Sequence, residues 1–176
     1  MITSENQVRE LLGERATDDF MNWLMTSDYF SAPAAKSHHG NHEGGLFKHS
    51  MEVAKQLDKL TLDLNLQWQR EESPWVVGLL HDICKMDDYV NLGYDESGEI
   101  YEYNKHKIMD GHGDKSVIML AGHFPLTVEE AMCIRFHMGA FTDKDQWEYY
   151  SRAVKRYPNV LYTHTADMIA SQIIGV

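Results

Sequence analysis

The chain is 176 residues long, with 43% hydrophobic and 24% charged residues, the proportions of one folded globular domain and not of a disordered tail or a fibre. Sixteen Lys and Arg against 27 Asp and Glu give a formal net charge of -11, so general attraction to phosphate backbones or anionic lipid is excluded and an anionic substrate has to be held locally. Two cysteines, Cys84 and Cys133, are too few for a disulfide framework, whereas ten histidines make metal ligation the question to put to each position.

Ser4 followed by Gln7 has the pattern of a capping box for a helix through Leu12, and Thr17 is placed to cap a second helix with Phe20, Trp23 and Leu24 on one face. Residues 1–29 are therefore expected to form an N-terminal helical flap on a single domain spanning 1–176. From Phe30 to Gly45 no period is visible, and an ordered loop carrying His38, His39 and His42 is expected. Helical spacing resumes at Leu46 and runs to about Leu64, with Leu46, His49, Val53, Leu57 and Leu60 along one stripe, so His49 faces inward. Ser73 and Pro74 read as the N-cap and first position of an apolar helix through about Lys85. Tyr89 to Leu92 and Ile100 to Tyr103 flank the turn-rich Gly93 to Gly98 as a small β-hairpin.

Further helices are predicted from about Gly113 to Gly122, from Thr127 to Met138 with a Thr127/Glu130 capping box, from about Asp145 to Arg156, and from Asn159 to the C-terminus. The fold class is thus all-α, a helical bundle with a small β-hairpin excursion. The longest apolar runs, Trp75 to Leu80 and Val117 to Ala121, are too short to cross a bilayer, and no targeting segment is read. A cytoplasmic protein with no membrane partner is expected. Trp23, Trp68, Trp75 and Trp147 read as core or groove residues, and Asp87, Asp88, Asp95, Glu96 and Glu99 as a solvated acidic patch.

The strongest local signal is His81-Asp82 at the end of the most apolar helix. A carboxylate and an imidazole beside a core are costly to bury, and a divalent cation would compensate both; capping of the helix C-terminus is the plain alternative. His49 upstream and Asp167 on the inward face of the last helix complete a set of mixed imidazole and carboxylate groups from three helices, a kind of site that bundles build between facing helices. In order and context this set resembles the HD-domain phosphohydrolase superfamily, over about residues 30–170, which would be the HD core. The stretches Pro33-Ala34-Ala35-Lys36-Ser37-His38-His39 and Gly44-Gly45-Leu46-Phe47-Lys48-His49-Ser50 resemble the corresponding segment of the HD-domain 3'-to-5' exoribonucleases and of related plasmid-transfer HD proteins. His81-Asp82-Ile83-Cys84-Lys85 is similar to their His-Asp-hydrophobic-Gly-Lys run, with Cys84 in place of Gly.

The resemblance implies one or two divalent transition-metal ions, with iron, manganese, cobalt, nickel and zinc all compatible with such ligands. It also implies two further histidines between the His-Asp pair and the final Asp, where His112 and His137 stand. In that arrangement Asp82 bridges the ions, His49, His81 and Asp167 complete one, and His112 and His137 hold the other beside a water or a histidine from elsewhere; read alone, a histidine at 137 is more often a satisfied core residue than a ligand. Asp82 and Lys85 are the candidate catalytic residues, Lys85 either neutralising a phosphate oxygen or standing as an ordinary helix lysine. His39 and His42 are candidates for phosphate contact, for proton donation, or for completing the second ion. The expected function is metal-dependent hydrolysis of a small phosphorylated substrate such as a nucleotide. The alternatives are a 3'-to-5' exonuclease or phosphodiesterase on RNA or single-stranded DNA, and a non-catalytic HD ligand-sensing module.

Overall fold

The computed structural model describes residues 4–36, 40–95 and 98–176, so His38, His39 and Glu96 lie outside the described residues. In chain order it forms α1 (Ser4–Leu12), α2 (Asp18–Thr26), α3 (Gly45–Leu64), α4 (Ser73–Leu80), β1 (Tyr89–Asp95), β2 (Gly98–Tyr103), α5 (Gly113–Ala121), α6 (Val128–Arg135), α7 (Trp147–Arg156) and α8 (Asn159–Met168), the last continued by a π-helical stretch from Ile169 to Ile174. The all-α expectation with one hairpin holds: β1 and β2 pair antiparallel from Tyr89↔Tyr103 to Asp95↔Gly98, with an irregularity between Asn91 and Tyr94. Thr17 caps α2 by accepting from the Phe20 amide at 3.2 Å, and Thr127 with Glu130 closes the expected capping box on α6. Among the described residues no helix is long and apolar enough to cross a membrane.

Two helices end earlier than their apolar periodicity suggests, and for one local reason. α4 stops at Leu80 rather than near Lys85, and α6 at Arg135 rather than Met138. In each case a histidine just past the end turns its ring back on the last turn: His81 Nδ1 is 2.9 Å from the Gly78 carbonyl, and His137 Nδ1 is 2.7 Å from that of Ile134. Each imidazole thereby satisfies a carbonyl that the next turn's amide would otherwise take. The chain leaves helical geometry at Asp82 (φ -109°, ψ 22°) and at Phe136 (φ -109°, ψ 17°), and a 3-10 turn from Ile83 to Met86 follows the first of these. Ser73 is likewise the first helical residue, not the cap, and its hydroxyl donates to Glu130 Oε1 at 2.7 Å.

The core runs from end to end of the chain. Val8, Leu12, Phe20, Met21 and Leu24 of the two N-terminal helices are buried in the same cluster as Leu46, Val53, Leu57, Leu79, Ile134 and Val160. Helices α3 and α4 cross at Gly78, where a Cβ would come within 2.2 Å of Ala54 Cα, a separation no side chain tolerates. That close crossing sets the His81-Asp82 turn against the His49 face of α3.

Buried charge pins the periphery. Arg15 donates through both terminal nitrogens to Glu130, at 2.6 and 2.8 Å, and Glu130 is fully buried. Burial would raise the Glu130 carboxyl, yet the Arg15 guanidinium and the capping hydrogen bonds hold it below its ordinary range. Arg15→Ala leaves this carboxylate without its counter-charge and is expected to cost about 3–5 kcal/mol in urea unfolding, with part recovered by adding Glu130→Gln. Asp87 and Asp88 are not the solvated patch expected of them. Lys115, fully buried, reaches Asp88 Oδ1 at 2.7 Å and Asp87 Oδ2 at 2.9 Å, so the carboxylates draw inward around a cation 27 residues away on α5. Glu99 is half-buried rather than freely solvated, accepting from the Glu43 amide at 2.6 Å and the Tyr101 hydroxyl at 3.0 Å. Trp23, Trp68 and Trp75 pack against the core, whereas Trp147 is 48% exposed and departs from that expectation.

Candidate metal centre

Five segments deliver the predicted site residues to one place: His49 from α3, His81 and Asp82 from the turn after α4, His112 from the position before α5, His137 from the turn after α6, and Asp167 from α8. Asp82 stands between two groups of imidazoles. Its Oδ1 is 3.2 Å from His137 Nε2 and 3.6 Å from His112 Nδ1, while Oδ2 is 3.6 Å from His81 Nε2 and 3.9 Å from His49 Nε2. Asp167 Oδ1 lies 3.2 Å from His49 Nε2. Lys85 Nζ reaches Asp82 Oδ2 at 2.6 Å.

The donor atoms fit a cation. Since His81 and His137 spend Nδ1 on backbone carbonyls, Nε2 of each presents a lone pair, and both Nε2 atoms are buried without a hydrogen-bond partner, as is Asp82 Oδ1. Each such orphan costs about 1–3 kcal/mol if nothing binds it. His49 Nδ1 is 3.0 Å from the Val176 backbone oxygen, and its Nε2 stands 3.2 Å from Asp167 Oδ1. Groups of three donors drawn from His49, His81 and Asp82, and from His81, His137 and Asp167, each lie within 4.8 Å of one another.

The electrostatics follow from this crowding. Burial pushes His81 down to about 4, leaving a neutral ring at physiological pH. The neighbouring Asp82 carboxylate, followed by the Cys84 sulfur, lifts His112 to about 10, and His137 is raised too because Asp82 outweighs its burial. Burial would raise both carboxylates, but Lys85 and the imidazoles hold Asp82 well below its usual range, and His49 does the same for Asp167. Lys85 is raised because Asp82 outweighs the burial of the ammonium.

A cleft of about 400 Å³ opens onto the cluster, with Asp82, Lys85 and Asp167 at its base and Met138, Phe141 and Met168 among its walls. His164 also lines it and bonds the His137 carbonyl through Nδ1 at 2.8 Å, which braces the turn that carries His137. Gly139 (φ +53°) makes this possible, since a Cβ there would lie 2.4 Å from the His164 ring. The sequence pattern offered only the three-residue spacing to Asp167 as a sign of His164's place. His42 is not brought to the centre: it is exposed, its ring bonds the Glu43 carbonyl, and its loop meets the cleft through Ala34 and Ala35 instead. His39 falls outside the described residues. A second cleft of about 530 Å³ shares His112, Met138 and Phe141 with the first and adds Asp110, Asp114, Asp143 and Arg135.

A family model of the HD domain matches residues 46–167. That match supports the superfamily and gives no evidence for the exoribonuclease or plasmid-transfer branch. No curated protein and no solved structure gives a significant match to this chain.

Proposed function

The chain belongs to the HD-domain family, whose members are generally metal-dependent hydrolases, and from that premise we propose that it hydrolyses a phosphoester of a small substrate, a nucleotide being the favoured class. The observation that carries this reading is the ring of buried, unpartnered donor atoms around Asp82 at the floor of an open cleft. His49, His81, Asp82 and Asp167 would hold one cation, and Asp82, His112 and His137 a second. Cations bound there supply Lewis-acid polarisation of a phosphoryl oxygen and activation of an attacking water near neutral pH.

The chain's own residues then bind and orient. Lys85, at the cleft floor, is placed to neutralise a non-bridging phosphate oxygen once Asp82 is engaged by cations. Met138, Phe141 and Met168 shield the phosphoryl group from bulk water. The second cleft, which shares His112, Met138 and Phe141 with the first, is placed to receive the leaving group. There three carboxylates stand against one guanidinium, which suits an uncharged, hydrogen-bonding moiety better than a run of further phosphates. This favours a small ester over a polynucleotide. Metal-loaded protein incubated with nucleoside monophosphates, triphosphates and a labelled single-stranded oligonucleotide is expected to release phosphate from the small esters. Mononucleotide release from the oligomer alone would reverse the order, and metal binding without turnover on any of them would favour the ligand-sensing module.

Proton traffic accompanies metal uptake. With its pKa near 10, metal-free His112 is protonated at pH 7 and must shed that proton before Nδ1 accepts a cation. His81, near 4, releases none. Binding is therefore expected to release protons and to tighten as pH rises, by about one decade per pH unit for each proton displaced. Calorimetric titration with zinc in buffers of differing ionisation enthalpy measures this directly; a binding enthalpy independent of buffer would contradict it.

A further inference from the structure

Cys84 lies two residues beyond Asp82, outside the predicted ligand set, and is fully buried. Its Sγ is 3.9 Å from His112 Nδ1. Asp82, Cys84 and His112 each bring one donor atom within 4.8 Å of the other two. An independent observation points to an occupant: Asp82 Oδ1, 3.6 Å from His112 Nδ1, is buried and has no hydrogen-bond partner. An S–H···N contact alone would engage His112 and still leave that oxygen orphaned, whereas a cation satisfies all three atoms. The spacing agrees, because donors about 2.0–2.3 Å from a tetrahedral ion stand roughly 3.3–3.6 Å apart. The sulfur is also held in place, since the Cys84 amide donates to Ser116 Oγ at 3.3 Å on α5, the helix that His112 precedes.

We propose that Cys84 Sγ is a ligand to the cation shared by Asp82 and His112, making this position a mixed sulfur, imidazole and carboxylate site that selects zinc, cobalt or iron(II) over manganese and magnesium. The selectivity follows from ligand softness: a thiolate favours borderline and soft ions, while an all-nitrogen and oxygen set discriminates less. As the metal–sulfur bond forms, the S–H bond breaks and its proton leaves to solvent. The inference rests on the metal reading of the proposed function and adds a chemical identity to one of its two positions.

The test loads the full chain with cobalt(II), measures bound metal by elemental analysis and records the near-ultraviolet spectrum. Wild type is expected to show a sulfur-to-cobalt charge-transfer band that Cys84→Ser and Cys84→Ala lack and Cys133→Ala keeps. Zinc affinity at one position is expected to fall about 10–100-fold in Cys84→Ser, the scale of losing a group that tunes a metal site, with manganese affinity changed far less. X-ray absorption of the zinc-loaded wild type reads the same sulfur at about 2.3 Å without any variant. Cobalt bound with neither a charge-transfer band nor a sulfur scatterer would overturn the ligation and leave the metal reading standing; no cobalt bound at all would overturn both.

Discussion

Asp82→Ala is expected to lose both metal equivalents and to drop hydrolysis by at least about 10³-fold while the helical signal in circular dichroism stays at the wild-type level. The size of the effect comes from the position of one carboxylate. Its two oxygens face two different pairs of imidazoles, His112 and His137 on one side and His49 and His81 on the other, so a single truncation removes a donor from each position. The helices survive because Asp82 lies in the turn after α4 and outside the apolar cluster. Asp167→Ala should behave differently. Asp167 is a donor to the first position only in this arrangement, 3.2 Å from His49, so its loss is expected to release one equivalent and spare the other. Elemental analysis of the two variants separates the cases, and an Asp82→Ala protein that remains active and metal-replete would refute the bridging role.

The convergence behind that expectation was legible from sequence to an uneven degree. His49 could be read because it shares a helical stripe with Leu46, Val53 and Leu57, and all four are buried. His81-Asp82 could be read because a charged pair next to Trp75 to Leu80 needs a reason. The helix ends nearby could not. Ile83, Cys84 and Phe136 go on packing inward beyond the last helical residues, so apolar periodicity continues where the backbone has already turned, and only the ring-to-carbonyl bonds of His81 and His137 show the break.

Residues whose environment is made by distant partners stayed hidden. Lys115 becomes a buried cation only because Asp87 and Asp88 fold back onto α5, and composition counts all three as solvated charge. In the Phe30 to Gly45 loop no period exists to say which way a side chain turns; the structure sends Ala34 and Ala35 toward the cleft and His42 to the surface. His164 was hidden for a third reason, since its role of bracing the His137 turn depends on a left-handed Gly139 that gives the ring room.

Lys85→Met is expected to move three measurements in different directions, a pattern that neither a surface lysine nor a purely structural one would give. Without cations the Lys85 ammonium is the counter-charge of Asp82, 2.6 Å from Oδ2, and both groups are largely withdrawn from water. Removing it strands a buried carboxylate, so the metal-free variant should melt below wild type. The same ammonium competes with any cation approaching Oδ2, so metal should bind more tightly, by about tenfold for each 1.4 kcal/mol of repulsion relieved. Turnover should nevertheless fall, with kcat/KM down about 10²–10³-fold, because the freed ammonium no longer meets the developing charge on the phosphoryl oxygens. Melting of the metal-free protein, metal titration and steady-state kinetics report these separately. Lower stability and tighter metal with unchanged kcat/KM would confine Lys85 to balancing Asp82, and the phosphate-neutralising role would then have to pass to a different cation at the cleft.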